Sequence, residues 1–166
     1  MFGFFKSKSS SSVKNDTPPT DGIRYDPDLI RSLISDHQIL LKHYQRIADK
    51  AAARSFREVR AELGHFKTLF HSHILLENVK LYVYLNHHME IDESRIEIIK
   101  AMRREMRHIG KAVNQFIEAY DVWPWDDQLE SSFPQALQQI GTALSDRIKT
   151  EEDTLYPLYQ APAENQ

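Results

Sequence analysis

Four separate stretches of this chain return apolar residues at alternating intervals of three and four. That interval follows the 3.6-residue turn of an α-helix and lays a single apolar stripe along one side of it. The first stretch reads Ile30, Leu33, His37, Leu40, Tyr44 and Ile47; the second Phe56, Val59, Leu63, Phe66, Phe70, His73, Glu77 and Tyr84. The third runs Ile98, Met102, Met106, Ile109, Val113, Phe116 and Tyr120, and the fourth Leu137, Ile140, Leu144, Glu151, Leu155 and Leu158. No run alternates with the period of a strand, and no internal repeat is visible. Four one-sided helices with short connections predict an all-α fold, an antiparallel up-down four-helix bundle.

Local signals set the expected boundaries. Asp26-Pro27 supplies an N-cap acceptor and a proline at the first helical position, so the first helix is placed at about 27–52. A short connection follows at Ala53–Ser55, and the second helix runs from Phe56 to Leu85 or His88. Asp121-Val122-Trp123-Pro124-Trp125-Asp126-Asp127 breaks the period and reads as a loop, with the two tryptophans covering a bundle end. The fourth helix is expected to begin near Phe133-Pro134 and to end around Pro157–Tyr159. Residues 1–24, Ser-, Lys- and Pro-rich behind a Phe-bearing tip, are expected to be a disordered lead to a bundle at 25–160, with a tail at 161–166.

Composition narrows the class of function. With 21 basic against 24 acidic residues, the chain lacks the basic excess of a phosphate-tracking protein, so no nucleic-acid partner is expected. It has no cysteine, which removes disulfides, thiolate metal sites and cysteine nucleophiles, and fits a reducing compartment. No stretch reaches the ~20 apolar residues of a membrane span. The start, Met1-Phe2-Gly3-Phe4-Phe5-Lys6, falls short of the roughly 7–15 apolar residues of a signal-peptide core, and a cytoplasmic location is expected.

The informative residues are those that violate the apolar seam, because burying an unpaired polar group costs several kcal/mol on most scales. His37 does so on the first helix, and His73 with Glu77 on the second. Glu151 does so on the fourth in either register, while Arg147 or Ile148 takes the seam position before it. His73 and Glu77 are four apart and project from one helix face. Imidazole nitrogen with carboxylate oxygen suits iron, manganese or zinc, and bundles build such sites from facing helices. His43, His65, His71, His87 and His88 lie off the seam or at a helix end and read as surface residues, and core packing accounts for Tyr82, Val83 and Tyr84.

These residues resemble the hemerythrin family, in particular its HHE cation-binding branch. The resemblance rests on Asp36-His37, on the His-x-x-x-Glu of His73 and Glu77, and on the segment from Arg147 through Glu151-Glu152 to Leu155-Tyr156-Pro157-Leu158. It spans about Ile23 to Tyr159. It implies a four-helix bundle with an oxo-bridged di-iron centre that binds or senses dioxygen, nitric oxide or redox state. Carried over by position, His37, His73, Glu77 and Glu151 match metal ligands. Arg147 stands where the family has a histidine, and Met106 stands in the ligand slot of the third helix. His108 is the one histidine on that helix, off its seam. Arg147 and His108 are therefore placed at the edge of the layer at most.

Two outcomes stay open from these residues: iron, as one ion or a depleted di-iron pair, or a metal-free layer in which Arg147 satisfies Glu151 by charge-assisted hydrogen bonds. A second, shorter resemblance keeps a protein partner in view. Phe133-Pro134-Gln135-Ala136-Leu137 through Ile140-Gly141, Leu144 and Arg147 is similar to the regulator of sigma D family, helical bundles that bind a sigma factor. An enzyme is not expected, since no nucleophile–base pair, glycine-rich loop or phosphate cradle is present.

Overall fold

Each apolar seam forms a helix, and the helices pack with the seams inward. A computed structural model describes residues 23–88 and 92–162, and among these there is no strand. Helix α1 spans Leu29–Ala52 and α2 spans Phe56–Leu76. The turn between them holds Arg54 at φ 56°, in the left-handed region that ends a helix, and Ser55 N–H reaches back to Lys50 O at 2.9 Å. A π turn, Glu77–Leu81, carries α2 into α3, Tyr82–His88. Helix α4 is Glu93–Tyr120, and α5, Asp127–Thr150, ends in a second π turn at Glu151–Leu155 and a 3-10 turn at Tyr156–Leu158. The expected bundle is the fold observed. Residues 1–22 of the lead and 163–166 of the tail lie outside the described residues.

Two expected boundaries move, each for a local reason, and one seam position shifts. Helix α1 begins two residues late because Asp26 spends its carboxylate on the Asp28 N–H (3.0 Å) and on Lys80 (3.1 Å), forming a turn ahead of the helix. Helix α5 begins well before Phe133, because Asp126 caps it by accepting the Leu129 N–H at 2.9 Å. Pro134 consequently lies inside the helix, on an exposed face where solvent can serve the carbonyl its missing N–H leaves free. At the start of α4 the seam runs through Ile99, 2% exposed, and leaves Ile98 39% exposed.

The core falls into two apolar clusters. One gathers Leu40, Ile47, Leu63, Phe66, Phe70, Val113, Phe116, Phe133 and Leu137 toward the α1–α2 and α4–α5 turns. Trp125 closes that end, its indole N–H donating to Tyr120 O at 3.1 Å, while Trp123 remains exposed. The other gathers Leu29, Leu33, Leu81, Leu85, Ile99, Leu155 and Tyr159 toward the far end. Among the described residues, His37, His73, Glu77, Arg147 and Glu151 are the buried polar or charged ones, and they lie between the two.

One close approach positions the site. The Tyr44 ring lies against α5 at Gly141, where an added Cβ would fall 2.2 Å from the Tyr44 hydroxyl oxygen. The hydroxyl donates to Leu137 O at 3.1 Å, so glycine is what lets the phenol seat there. No helix among the described residues is long and apolar enough to cross a membrane.

Candidate metal centre

Three helices bring the layer together. The seam of α1 delivers His37, the last turn of α2 delivers His73, and α5 with its π turn delivers Arg147 and Glu151. His37 Nε2 lies 3.2 Å from His73 Nε2 and 3.1 Å from Glu151 Oε2. These three ligand atoms all fall within 4.8 Å of one another. Glu77 Oε1 is 3.9 Å from His73 Nε2, so the fourth expected ligand adjoins the same point.

The far nitrogens of both rings face carboxylates. His37 Nδ1–H donates to Glu152 Oε1 at 2.8 Å, and His73 Nδ1 is 3.6 Å from Asp36 Oδ2, just beyond hydrogen-bond reach. A carboxylate behind an imidazole fixes the tautomer that leaves the other nitrogen free for a metal, and raises its basicity. Glu77 Oε2 and His73 Nδ1 are buried without a hydrogen-bond partner. Unpartnered buried polar atoms are rare in folded proteins. His37 Nε2, His73 Nε2 and a Glu151 oxygen, with Glu77 alongside, form a donor set that fits one ion.

Room for a second ion is taken by Arg147. The expected ambiguity of register resolves with Arg147 3% exposed and Ile148 half-buried beside it. Its guanidinium donates through Nε to Glu151 Oε1, through Nη1 to Met102 O (3.1 Å) and Glu105 Oε2 (3.2 Å), and through Nη2 to the Tyr82 hydroxyl (3.1 Å). Met106 adds a thioether on that side, and His108 is exposed and outside the layer. A fixed positive charge repels a neighbouring cation, so this half does not fit the second iron of a di-iron pair.

The protonation states follow from this arrangement. Burial works against the His37 imidazolium, yet its hydrogen bonds to Glu151 and Glu152 prevail and hold it above the ordinary histidine value. Burial, then the charge on His37, pushes His73 down. Glu77 is pushed up to about 8 by burial and by Glu151. Glu151 goes the other way in spite of burial, because His37 and Arg147 stabilise its carboxylate. Without an ion the arrangement thus favours charge on His37, Glu151 and Arg147 and the neutral forms of His73 and Glu77.

Two tyrosines enter the layer unforeseen. Tyr156 donates its hydroxyl to Glu77 Oε1 at 3.0 Å and lies 3.1 Å from His37 Nε2, its ring stacked on the imidazole at 5.6 Å. Burial and the nearby Glu77 raise its pKa far above the usual phenol value. Tyr82, read from sequence as core packing, accepts from Arg147, and burial pushes its own pKa up to about 12. Each tyrosine follows its helix's glutamate by five residues across a π turn, with Tyr82 N–H bonded to Glu77 O and Tyr156 N–H to Glu151 O. That i to i+5 bond stacks the tyrosine over the glutamate, where a regular helix would rotate it away. His73-Glu77-Tyr82 and Arg147-Glu151-Tyr156 therefore share one spacing, four then five, which was the available signal in the sequence.

Beside the layer lies an apolar chamber of about 20 Å³, lined by Leu40, Tyr44, Phe66, Phe70 and Leu144 with His37, His73 and Glu151 at its polar edge. That is space for one water-sized molecule.

Comparison with known proteins agrees with the geometry. The family model of the hemerythrin HHE cation binding domain matches residues 28–159. No curated protein and no solved structure matches the chain. A match across the whole bundle, with His37, His73 and Glu151 converging inside it, places the chain in the hemerythrin HHE cation-binding family.

Proposed function

We propose that this protein holds one divalent cation, iron by its ligand mix, with His37, His73, Glu77 and Glu151, and that it binds or senses dioxygen, nitric oxide or redox state. The convergence of two imidazole nitrogens and a carboxylate oxygen within 4.8 Å carries this reading. Iron in a nitrogen- and oxygen-ligated site supplies reversible small-molecule binding or one-electron redox chemistry. The chain's own residues do the rest. Glu152 orients the His37 imidazole and Asp36 sets a negative charge behind His73, Arg147 balances Glu151 and keeps the centre to one ion, and Tyr156 ties His37 to Glu77. The chamber beside the layer is apolar and small, which favours a neutral diatomic over water or an anion. The role proposed for the protein is binding and signalling, not turnover, in the cytoplasm.

The test is metal analysis after anaerobic loading with Fe(II), followed by a visible spectrum on exposure to air or nitric oxide. One iron per chain, lost in His73→Ala and kept in His108→Ala, is expected. Iron well below one per chain, or equal loading of both variants, would refute the proposal. A second reading has its own observation: Arg147, Glu151, His37, Tyr156 and Glu77 already form a connected network without an ion. On that reading the protein is a metal-free regulator that binds a protein such as a sigma factor. Chelated and iron-loaded protein capturing a purified sigma factor equally well would favour it.

A further inference from the structure

A second cavity opens on the side of the bundle where α2 and its π turn face α4. It is a groove of about 680 Å³, inside the roughly 300–1,000 Å³ range of small-molecule sites. Its floor is apolar, made by Phe70, Ile74 and Met106, with buried Glu77 reaching it from the metal layer. Contacts cross the groove near either end: Arg103 lies over the Tyr82 ring at 5.6 Å, and His71 Nε2 is 2.7 Å from Asn114 Oδ1. Between them the α4 wall carries no side chain at Gly110, where an added Cβ would meet nothing within 4 Å. Glycine inside a helix costs about 1 kcal/mol against alanine. Here no packing within the chain requires it, and what it leaves is open width in the groove.

Charge gives the groove its direction. Arg103, Arg107 and Lys111 follow at intervals of four along the α4 wall. Arg103 is engaged with Tyr82, but among the described residues neither Arg107 nor Lys111 has an acidic partner. The one carboxylate on this wall, Glu118, lies at the far end beyond Asn114. Two cations with no acidic partner among the described residues, above an apolar floor, suit a molecule with a negative head and an apolar body.

We propose that this groove is a binding site for a small amphipathic organic anion, its carboxylate, sulfonate or phosphate on Arg107 and Lys111 and its apolar part along Ile74 and Met106 past Gly110. The site does not depend on the metal reading. Because Glu77 belongs to both floor and layer, an occupant would lie directly against one of the proposed ligands.

The experiment uses the full chain with metal chelated, so failure of the groove leaves the iron proposal standing. 8-Anilinonaphthalene-1-sulfonate is titrated by fluorescence, with decanoate and decanol as competitors. One dye per chain is expected, displaced about tenfold better by decanoate than by decanol, since a charge-assisted contact is worth at least that factor. Arg107→Glu/Lys111→Glu should weaken the dye by about tenfold or more on the same grounds. Gly110→Trp, which fills the groove from an unobstructed Cβ, should abolish binding, and all variants should keep a cooperative thermal transition. Equal binding by both variants would overturn the proposal. So would equal displacement by decanol, or an equal loss in Lys42→Glu on α1, which would mark a general charge effect. Sedimentation with phosphatidylglycerol vesicles that depends on Arg107 and Lys111, without displacement of dye by decanoate, would assign the surface to membranes instead.

Discussion

Replacing Arg147 by methionine separates what the arginine does for the fold from what a cation would do for the same carboxylate. The side chain is 3% exposed, and its bonds to Glu151, Met102 O, Glu105 and the Tyr82 hydroxyl leave no donor nitrogen without an acceptor. Arg147→Met fills similar volume but leaves Glu151 with His37 as its remaining charged partner. Removing one member of a buried ion pair costs about 3–5 kcal/mol, because the other charge stays desolvated. For a chain of this length each kcal/mol moves Tm by roughly 2–4 °C, so metal-free Arg147→Met should melt on the order of 10 °C lower. A cation held by Glu151 would supply the missing countercharge, and loss of the repelling guanidinium would tighten its binding. The Tm deficit should therefore shrink to less than half in iron- or zinc-loaded protein. Calorimetry on chelated and loaded samples of both proteins closes the cycle. An equal deficit with and without metal would show that Arg147 and the cation do not share Glu151, and no deficit in metal-free protein would refute the buried-pair argument itself.

Restoring nitrogen ligands on the arginine side should change stoichiometry: Met106→His/Arg147→His is expected to take up a second ion per chain, and metal analysis that stays at one would show that Arg147 is not what excludes it. Gly141→Ala drives a methyl into the Tyr44 phenol; overpacking of about 1–3 kcal/mol outweighs the propensity gained, so Tm should fall, and an unchanged or higher Tm would mean Tyr44 moves away freely. The Asp92 carboxyl, capping α4, is held below its ordinary value by the Ser94 hydroxyl and the N–H groups of Arg95 and Ser94. A depressed acid stabilises above its unfolded value and loses that contribution as pH falls through the folded one. Asp92→Asn should therefore flatten the acid limb of the Tm–pH profile below about pH 4, and parallel profiles there would rule the cap out as its source.

The bundle was legible because a seam is a long repeated signal: one misplaced position, such as Ile98 for Ile99, leaves the rest of α4 in register. His37, His73, Glu77 and Glu151 were legible for the opposite reason, as isolated violations of that seam. Helix ends were less so. Asp26 and Asp126 are both acidic residues ahead of a helix, and only the folded chain shows that Asp126 caps while Asp26 turns back on Asp28 and Lys80. Tyr82 and Tyr156 were hidden by the π turns, because a regular 3.6-residue period puts the fifth residue after a glutamate on the wrong side of the helix. The register of Arg147 was undecidable from spacing, since Ile148 satisfies the apolar rule equally well. What decides it is chemistry across the bundle: Met102 O, Tyr82 and Glu151 together offer acceptors that only arginine can use.

Those acceptors also bear on why the fold can stand without a metal. In small metal-nucleated domains the ion is the folding energy, and chelation unfolds them. Here the polar layer separates two apolar clusters, each drawn from several helices. Inside the layer two cations, Arg147 and His37, share Glu151 and reach Glu105 and Glu152 at its edge, and Glu77 is neutral by protonation and hydrogen-bonded to Tyr156. If the proposed cation binds, such a chain would fold first and take up the ion afterward, with proton release from His37 and Glu77 as the coupled event. Affinity at such a site is free to be set by ligand binding and redox state, since the fold does not depend on occupancy. The proposed sensing role would need that separation, because both states of a sensor must be folded.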